Sequence, residues 1–287
     1  MRANKNKILT LFFAVILSWG CQEIIDLDLE KSDTRVVIEG RIVDENSIKK
    51  IKISQSLNYY DTGKMQPIAN AEISLLDGND NLISEFIYNS QDSTYQTFDS
   101  LRLDVGSEYR IQILVNDELL EAKGEILENP TLDSIYYLSE EELQNLGQQV
   151  IGEGYFMFVN GRLNNEGIEY FKLDITVNDT LRNSRGALSN SVLTSEFFGK
   201  EFRALPVPGT FKEKDTVDLQ LYTLNEDVYQ YYIEFINLLF NDGGVFSPPP
   251  VNPTTNIKNL TNSENPPLGF IQFSSIQRRS LIIEEGD

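Results

Sequence analysis

The chain is predicted to be mainly β: an N-terminal antiparallel β-sandwich, then a second β-rich domain with one or two helices. Three observations carry this. Short apolar runs recur between residues 36 and 127, each bounded by turn residues, at the spacing of a small sandwich. A cleanly alternating run at 216–224 shows that strands resume in the second half. A switch to helical spacing then follows Asn225.

The strands come in order. VVIEGRIVD (36–44) is followed by KKIKISQS (49–56), which puts Ile51 and Ile53 on one face. AEISLLDGNDNLISEFIY (71–88) reads as two strands joined by Asp77-Gly78-Asn79-Asp80, residues that favour tight hairpin turns. The oxygen-rich turn lacks the spacing and terminal glutamate of an EF-hand; weak calcium binding by such sandwich loops is the competing reading. Segments 93–98, 107–115 and 119–127 complete the first unit, residues 35–128, and Asn129-Pro130 ends it.

The second unit, 129–287, opens on LDSIYYL (132–138). Ser139 with Glu142 three residues later forms a capping-box pattern, so SEEELQNLGQQ is a short surface helix. Strands follow at 154–163, 168–179 and 216–224, the last with Val217, Leu219, Leu221 and Thr223 on one side. Val228, Tyr231, Tyr232, Phe235, Leu238 and Leu239 then define an amphipathic helix over 225–241, with Glu226 and Asp227 in its first turn and Asp242-Gly243-Gly244 past its end. This aromatic stripe reads as core packing rather than a ligand groove. FSPPPVNPTTNI (246–257) carries four prolines and is expected as a stiff loop, because proline removes a donor and fixes φ. Strands at 267–275 and 279–284 close the chain.

Residues 1–20 read as an export signal: Arg2, Lys5 and Lys7 precede an apolar run at 8–17 and small residues Ser18 and Gly20. That run is shorter than the roughly 20 residues a permanent span needs. Its removal takes away three positive charges and no acids, which moves the formal net charge from −20 to −23. Such a balance argues against nucleic acid, whose binding needs Lys and Arg on phosphates, and against an anionic lipid surface as the holding force. The chain has no histidine and one cysteine, Cys21, and its one tryptophan lies in the signal. Ser-His-Asp and Cys-His catalysis are thereby excluded within this chain, as are zinc and copper sites built on His or Cys. Of the carboxylate clusters, Glu140-Glu141-Glu142 falls on a solvent face, Glu284-Glu285 near the C-terminus and Asp26 with Asp28 in a tether, so they read as solvated charge. The chain is expected to be no enzyme and to need no metal or cofactor.

LSWGC (17–21) resembles a bacterial lipobox, with the leucine one position further back than usual. The resemblance implies that Cys21 is acylated and becomes the N-terminus of a lipoprotein. An exported, exposed free thiol would be open to oxidation, and a lone cysteine has no intramolecular disulfide partner. Residues 21–34 then form a lipidated acidic tether. Gln22 stands where an inner-membrane-retention aspartate would be, and Glu23, Asp26, Asp28 and Glu30 resemble the acidic tails that send Bacteroidota lipoproteins to the cell surface.

GRIVD, PIANAEISLLD, TYQTF and GSEYRIQI, in that order, resemble the transthyretin-like or carboxypeptidase-regulatory sandwich. Pro67-Ile68-Ala69-Asn70-Ala71 opens its second hairpin and Gly106 to Tyr109 a late strand; a generic Ig-like sandwich is the alternative. The whole chain after the signal is similar to the outer-membrane lipoprotein family called domain of unknown function 4249. The matching features are residues 37–43, 130–135, 225–241, Asn256-Ile257 and Leu268-Gly269-Phe270. The resemblance implies a non-enzymatic lipoprotein held on the outer membrane by its lipid, facing the exterior, and partnered with a TonB-dependent transporter or another outer-membrane β-barrel. A stand-alone glycan- or peptide-binding module is the alternative.

The candidate interaction residues are those of the proline-rich loop: Phe246, Pro248, Pro249, Pro250, Asn252 and Pro253. Ser93, Ser100, Ser134, Thr180 and Thr216 each follow an aspartate and precede Thr, Leu, Ile, Leu and Val, respectively. They resemble the Bacteroidota O-glycosylation sequon; ordinary turn chemistry accounts for the same residues.

Overall fold

The computed structural model describes residues 34–58, 61–149, 152–244 and 247–284. Cys21 and the acidic residues after it lie outside that range, as do Phe246 and Glu285. Residues 34–287 form one compact unit.

Its first eight strands are β1 (Val36–Val43), β2 (Lys50–Gln55), β3 (Gln66–Pro67), β4 (Glu72–Asp77), β5 (Leu82–Asn89), β6 (Thr94–Thr97), β7 (Glu108–Val115) and β8 (Glu118–Glu125). The second half adds β9 (Thr131–Ser139), α1 (Glu140–Asn145), β10 (Tyr155–Arg162), β11 (Tyr170–Val177), β12 (Thr180–Leu181) and α2 (Arg185–Ser189). After these come β13 (Val192–Thr194), β14 (Glu201–Pro206), β15 (Thr216–Leu224), α3 (Glu226–Phe240), β16 (Ile257–Asn259), β17 (Leu268–Ser274) and β18 (Ile276–Ile282).

The first sheet runs β16-β8-β7-β4-β5-β6-β2-β1-β17, with β3 on β2. All its pairings are antiparallel except β1 with β17. The last strand returns against β8, so the sheet rolls around one core. Alternation sends Ile38, Ile42, Ile51, Ile53, Leu75, Ile111 and Ile113 into that core, where they are fully buried. Two tyrosine hydroxyls explain the two motifs of this half. Tyr95 accepts from the Ala71 amide (2.8 Å) and donates to the Ile68 carbonyl (2.9 Å), pinning the Pro67–Ala71 step. Tyr109 accepts from the Asp104 amide (2.8 Å) and so fixes the loop before β7.

Two of the ten strands in this sheet, β16 and β17, come from beyond residue 129. Asparagine side chains fasten their edges. The Asn256 amide donates to the Ile271 carbonyl (2.8 Å) and accepts from the Ile271 amide (3.0 Å), as a neighbouring strand would. Asn225 does the same for β8 and β17, bonding Glu125 on both its amide and carbonyl and also the Phe273 carbonyl. Its side chain therefore makes no cap hydrogen bond to α3. Gly269 has φ +88°, and a Cβ there would collide with the Ile38 carbonyl, so Leu268-Gly269-Phe270 needs glycine at its centre.

The other two sheets are β14-β10-β9 and β12-β11-β15-β18, with β13 on β11. A second core lies on them, built on Met157, Phe171, Phe211, Val217 and Leu219. The expected alternation of β15 holds to Leu221; Tyr222, Thr223 and Leu224 are then all buried. Over this end both faces are covered, for Thr223 bonds Ser275 and Tyr222 lies under Arg41 of β1.

The capping box forms as expected: Ser139 accepts from the Glu142 amide, and the Glu142 carboxylate accepts from the Ser139 amide. The 225–241 helix is α3, and the first half of its stripe is core: Val228 and Tyr232 are buried with Leu224, packed by Tyr170, Tyr229 and Phe270. The proline-rich stretch departs from expectation at its end, where Ile257 opens β16 and pairs with Ala122. Strand β14 and helix α2 lie in segments that sequence reading left unassigned.

Candidate interaction groove

Helix α3 lies antiparallel to β17. Its N-terminal Asn225 bonds Phe273, Tyr232 donates to Gln272 (3.2 Å), and the Tyr231 and Tyr232 rings sit 4.6 and 5.1 Å from that of Phe270. The helix therefore runs toward the start of β17, and its last turns extend past the sheet. The proline-rich segment returns along these turns and is held at two points. Asn241, the helix C-cap, donates to the Pro248 carbonyl (2.9 Å), and Glu234 accepts from the Thr254 amide (2.6 Å). Arg185 of α2 donates to the Leu239 carbonyl (2.8 Å) and lies 4.7 Å over the Phe240 ring, a cation where the helix dipole favours one.

Between helix and proline segment runs an open groove of about 540 Å³. One wall is Leu238, Phe240 and Asn241, the other Pro248, Pro249, Pro250, Val251 and Asn252, with Glu234 at the edge. Val251 is 75% exposed and Phe240 48%, so the apolar lining faces solvent. Hydrogen bonds from Gln230 (3.0 Å) and from the Thr254 amide hold the Glu234 carboxyl below the usual range, so it is ionised. Proline rings with fixed φ keep this wall in shape. The chemistry available is burial of apolar surface with one fixed negative charge at the rim.

Four of the candidate loop residues, Pro248, Pro249, Pro250 and Asn252, line this groove; Pro253 lies beside it, half-buried. The helical wall is not among the sequence candidates, because periodicity places the whole stripe in the core. The sequence does carry the signal: Leu238, Leu239 and Phe240 give three consecutive apolar residues, more than one packed face can bury. Among the sequon residues, Ser100, Ser134 and Thr180 are exposed, while Ser93, in a turn, and Thr216, at the start of β15, are half-buried. Ser134 accepts from the Asn160 amide at 3.0 Å. Glu140, Glu141 and Glu142 lie on α1; among the described residues no group of three or more acids, histidines or cysteines is arranged to hold a metal.

The family model described as Domain of unknown function (DUF4249) matches residues 22–280. The chain belongs to this family. No curated protein matches it. The DUF4249 match spans all of the groove, both edge asparagines and Gly269.

Proposed function

We propose that this DUF4249 protein is a non-enzymatic lipoprotein, acylated at Cys21 and held on the outer membrane facing the exterior. In this reading it serves as an accessory of a TonB-dependent transporter or another outer-membrane β-barrel. The observation that carries the reading is the groove: an apolar, proline-walled surface braced at both ends and left open. The chain also enters the fold at the groove's end of the sheet, since β1 starts beside Leu268 and Thr255 bonds Gly269. A partner embedded in the anchoring membrane is served by that arrangement. The first sheet is read as transthyretin-like on its Pro67–Ala71 and Gly106–Tyr109 steps.

The test is recovery of the natively expressed protein in mild detergent. A barrel should co-purify with the wild type and be lost with Cys21→Ala, which also releases the protein from membranes. Recovery without a barrel, together with binding of soluble peptides or glycans, supports a stand-alone module instead. Protease shaving of intact cells tests the face: a protein that survives while surface markers are cut faces the periplasm. Intact mass tests the sequons, and a mass equal to the lipidated polypeptide removes glycosylation from the proposal.

A further inference from the structure

We propose a second binding site, independent of the groove: the pocket between the β11–β12 hairpin and α2 takes a small apolar carboxylate through Arg182. The pocket measures about 510 Å³, within the range of about 300–1,000 Å³ that ligand sites occupy. Buried Leu173 and Ile175 contribute its apolar lining, and Ser184 and Asn190 its polar lining. No acidic residue lines it.

Arg182 is held by the 208–211 segment. Its Nη1 donates to the Pro208 carbonyl (3.2 Å), Nη2 donates to the Thr210 carbonyl (2.7 Å), and the guanidinium lies 4.3 Å over the Phe211 ring. A guanidinium has five N–H donors, so the two carbonyls leave three unclaimed on a residue that lines the pocket. Gly209, at φ +94°, gives it room, because a Cβ there would collide with Nη1. Among the described residues Arg182 has no carboxylate within ion-pair distance, as is also true of Arg35, Arg102, Arg185 and Arg279, but of these five only Arg182 lines the pocket. Asp215, whose charge it feels, already accepts from the Asn178 side chain and the Lys212 amide, both at 2.8 Å.

A half-buried cation set beside an apolar lining matches a monoanion with an apolar body. The guanidinium fork fits a carboxylate in bidentate fashion. A doubly charged phosphate would leave one charge unmatched, because no second cation lines the pocket. The net charge of −20 does not forbid an anion here, since charges beyond about 8 Å are largely screened at physiological salt.

Two sources share this chemistry, a free short-chain acid and the C-terminus of a peptide. Calorimetric titration of the full-length chain in detergent separates them. The probes are hexanoate, a leucine-terminated pentapeptide with a free carboxyl, and the same pentapeptide as its C-terminal amide. Binding of hexanoate assigns a free acid; binding of the free-carboxyl peptide alone assigns a chain end. The amides of whichever acid binds should be weaker by about tenfold or more, as should the acid with Arg182→Gln. Arg182 also braces the 208–210 turn, so Asn190→Trp, at an exposed rim position, serves as a second variant that blocks the pocket and leaves those bonds intact. The proposal is overturned if neither acid binds, if acid and amide bind equally, or if both variants bind like the wild type.

Discussion

Arg41 of β1 and Asp174 of β11, 133 residues apart, pair at 3.0 Å beneath the α3 helix. Lys172 pairs with the other carboxylate oxygen, and Arg41 also lies 4.2 Å over the Tyr222 ring. Two cations thus share one carboxylate that is 11% exposed. Burial pushes the Asp174 carboxyl up, but Lys172 and Arg41 outweigh it and hold the group below its ordinary value. Burial lowers the Lys172 ammonium.

Removing the shared anion should therefore be worse than removing the whole set. Asp174→Leu is expected to lose about 3 kcal/mol, because buried Lys172 and half-buried Arg41 are left without their shared anion. Replacing Arg41, Lys172 and Asp174 together by apolar residues of similar volume should lose less than the single change. Urea unfolding of the single and triple variants checks the order.

Lys49 is 1% exposed at the end of the first sheet, with Nζ donating to the Glu45 carbonyl (2.6 Å) and to Ser47 (3.2 Å). Burial lowers its pKa from 10.5 to about 8, against the opposing pull of Asp44 and Glu45. The folded state releases this proton before the unfolded state does, so the unfolded chain binds more protons between the two values. Stability should be flat below about pH 8 and rise toward about 9.5, above which tyrosine ionisation intervenes. Thermal melts across pH 7–9.5 should show that rise in the wild type and its loss in Lys49→Met.

Asn256→Ala removes both bonds to Ile271 and leaves a half-covered strand edge. The expected loss is about 1–3 kcal/mol. Hydrogen exchange at the Ile271 amide should accelerate more than at Ile38 in the interior of the sheet, and equal protection at Ile271 in both proteins would refute the edge-sealing role.

Gly269→Ala should lose about 1–3 kcal/mol or more, since it adds backbone strain to a collision with the Ile38 carbonyl. Gly63→Ala is the control: a Cβ there meets nothing within 4 Å. Its effect should stay within about 0.5 kcal/mol. Circular-dichroism melts compare the two.

Val251→Asp changes an exposed groove residue, so its melting temperature should match the wild type, while Phe240→Ser also loses the Arg185 contact and should melt slightly lower. On the proposed docking of a membrane barrel in the groove, its co-purification should nevertheless fall, because an apolar surface is replaced by a charge or a hydroxyl. Unchanged recovery would move the docking surface elsewhere.

Local pattern by itself determined the first-half strands except the two-residue β3, the capped α1 helix, the β15 alternation up to Leu221 and the span of α3. Each follows from periodicity, turn residues or caps within a few neighbouring positions, and the absence of histidine also excluded Ser-His-Asp and Cys-His catalysis within this chain. It likewise singled out the proline-rich wall of the groove. Only tertiary structure decided the rest. Ile257–Asn259 becomes a strand because β8 offers an open edge and Asn256 secures β17 beside it, a relation that no local propensity records. The Leu238–Phe240 turn becomes a groove wall because α3 outruns the sheet it packs on. Arg182 stands out only where Pro208, Thr210 and Phe211 fold around it, since pairing and burial depend on residues far apart in sequence.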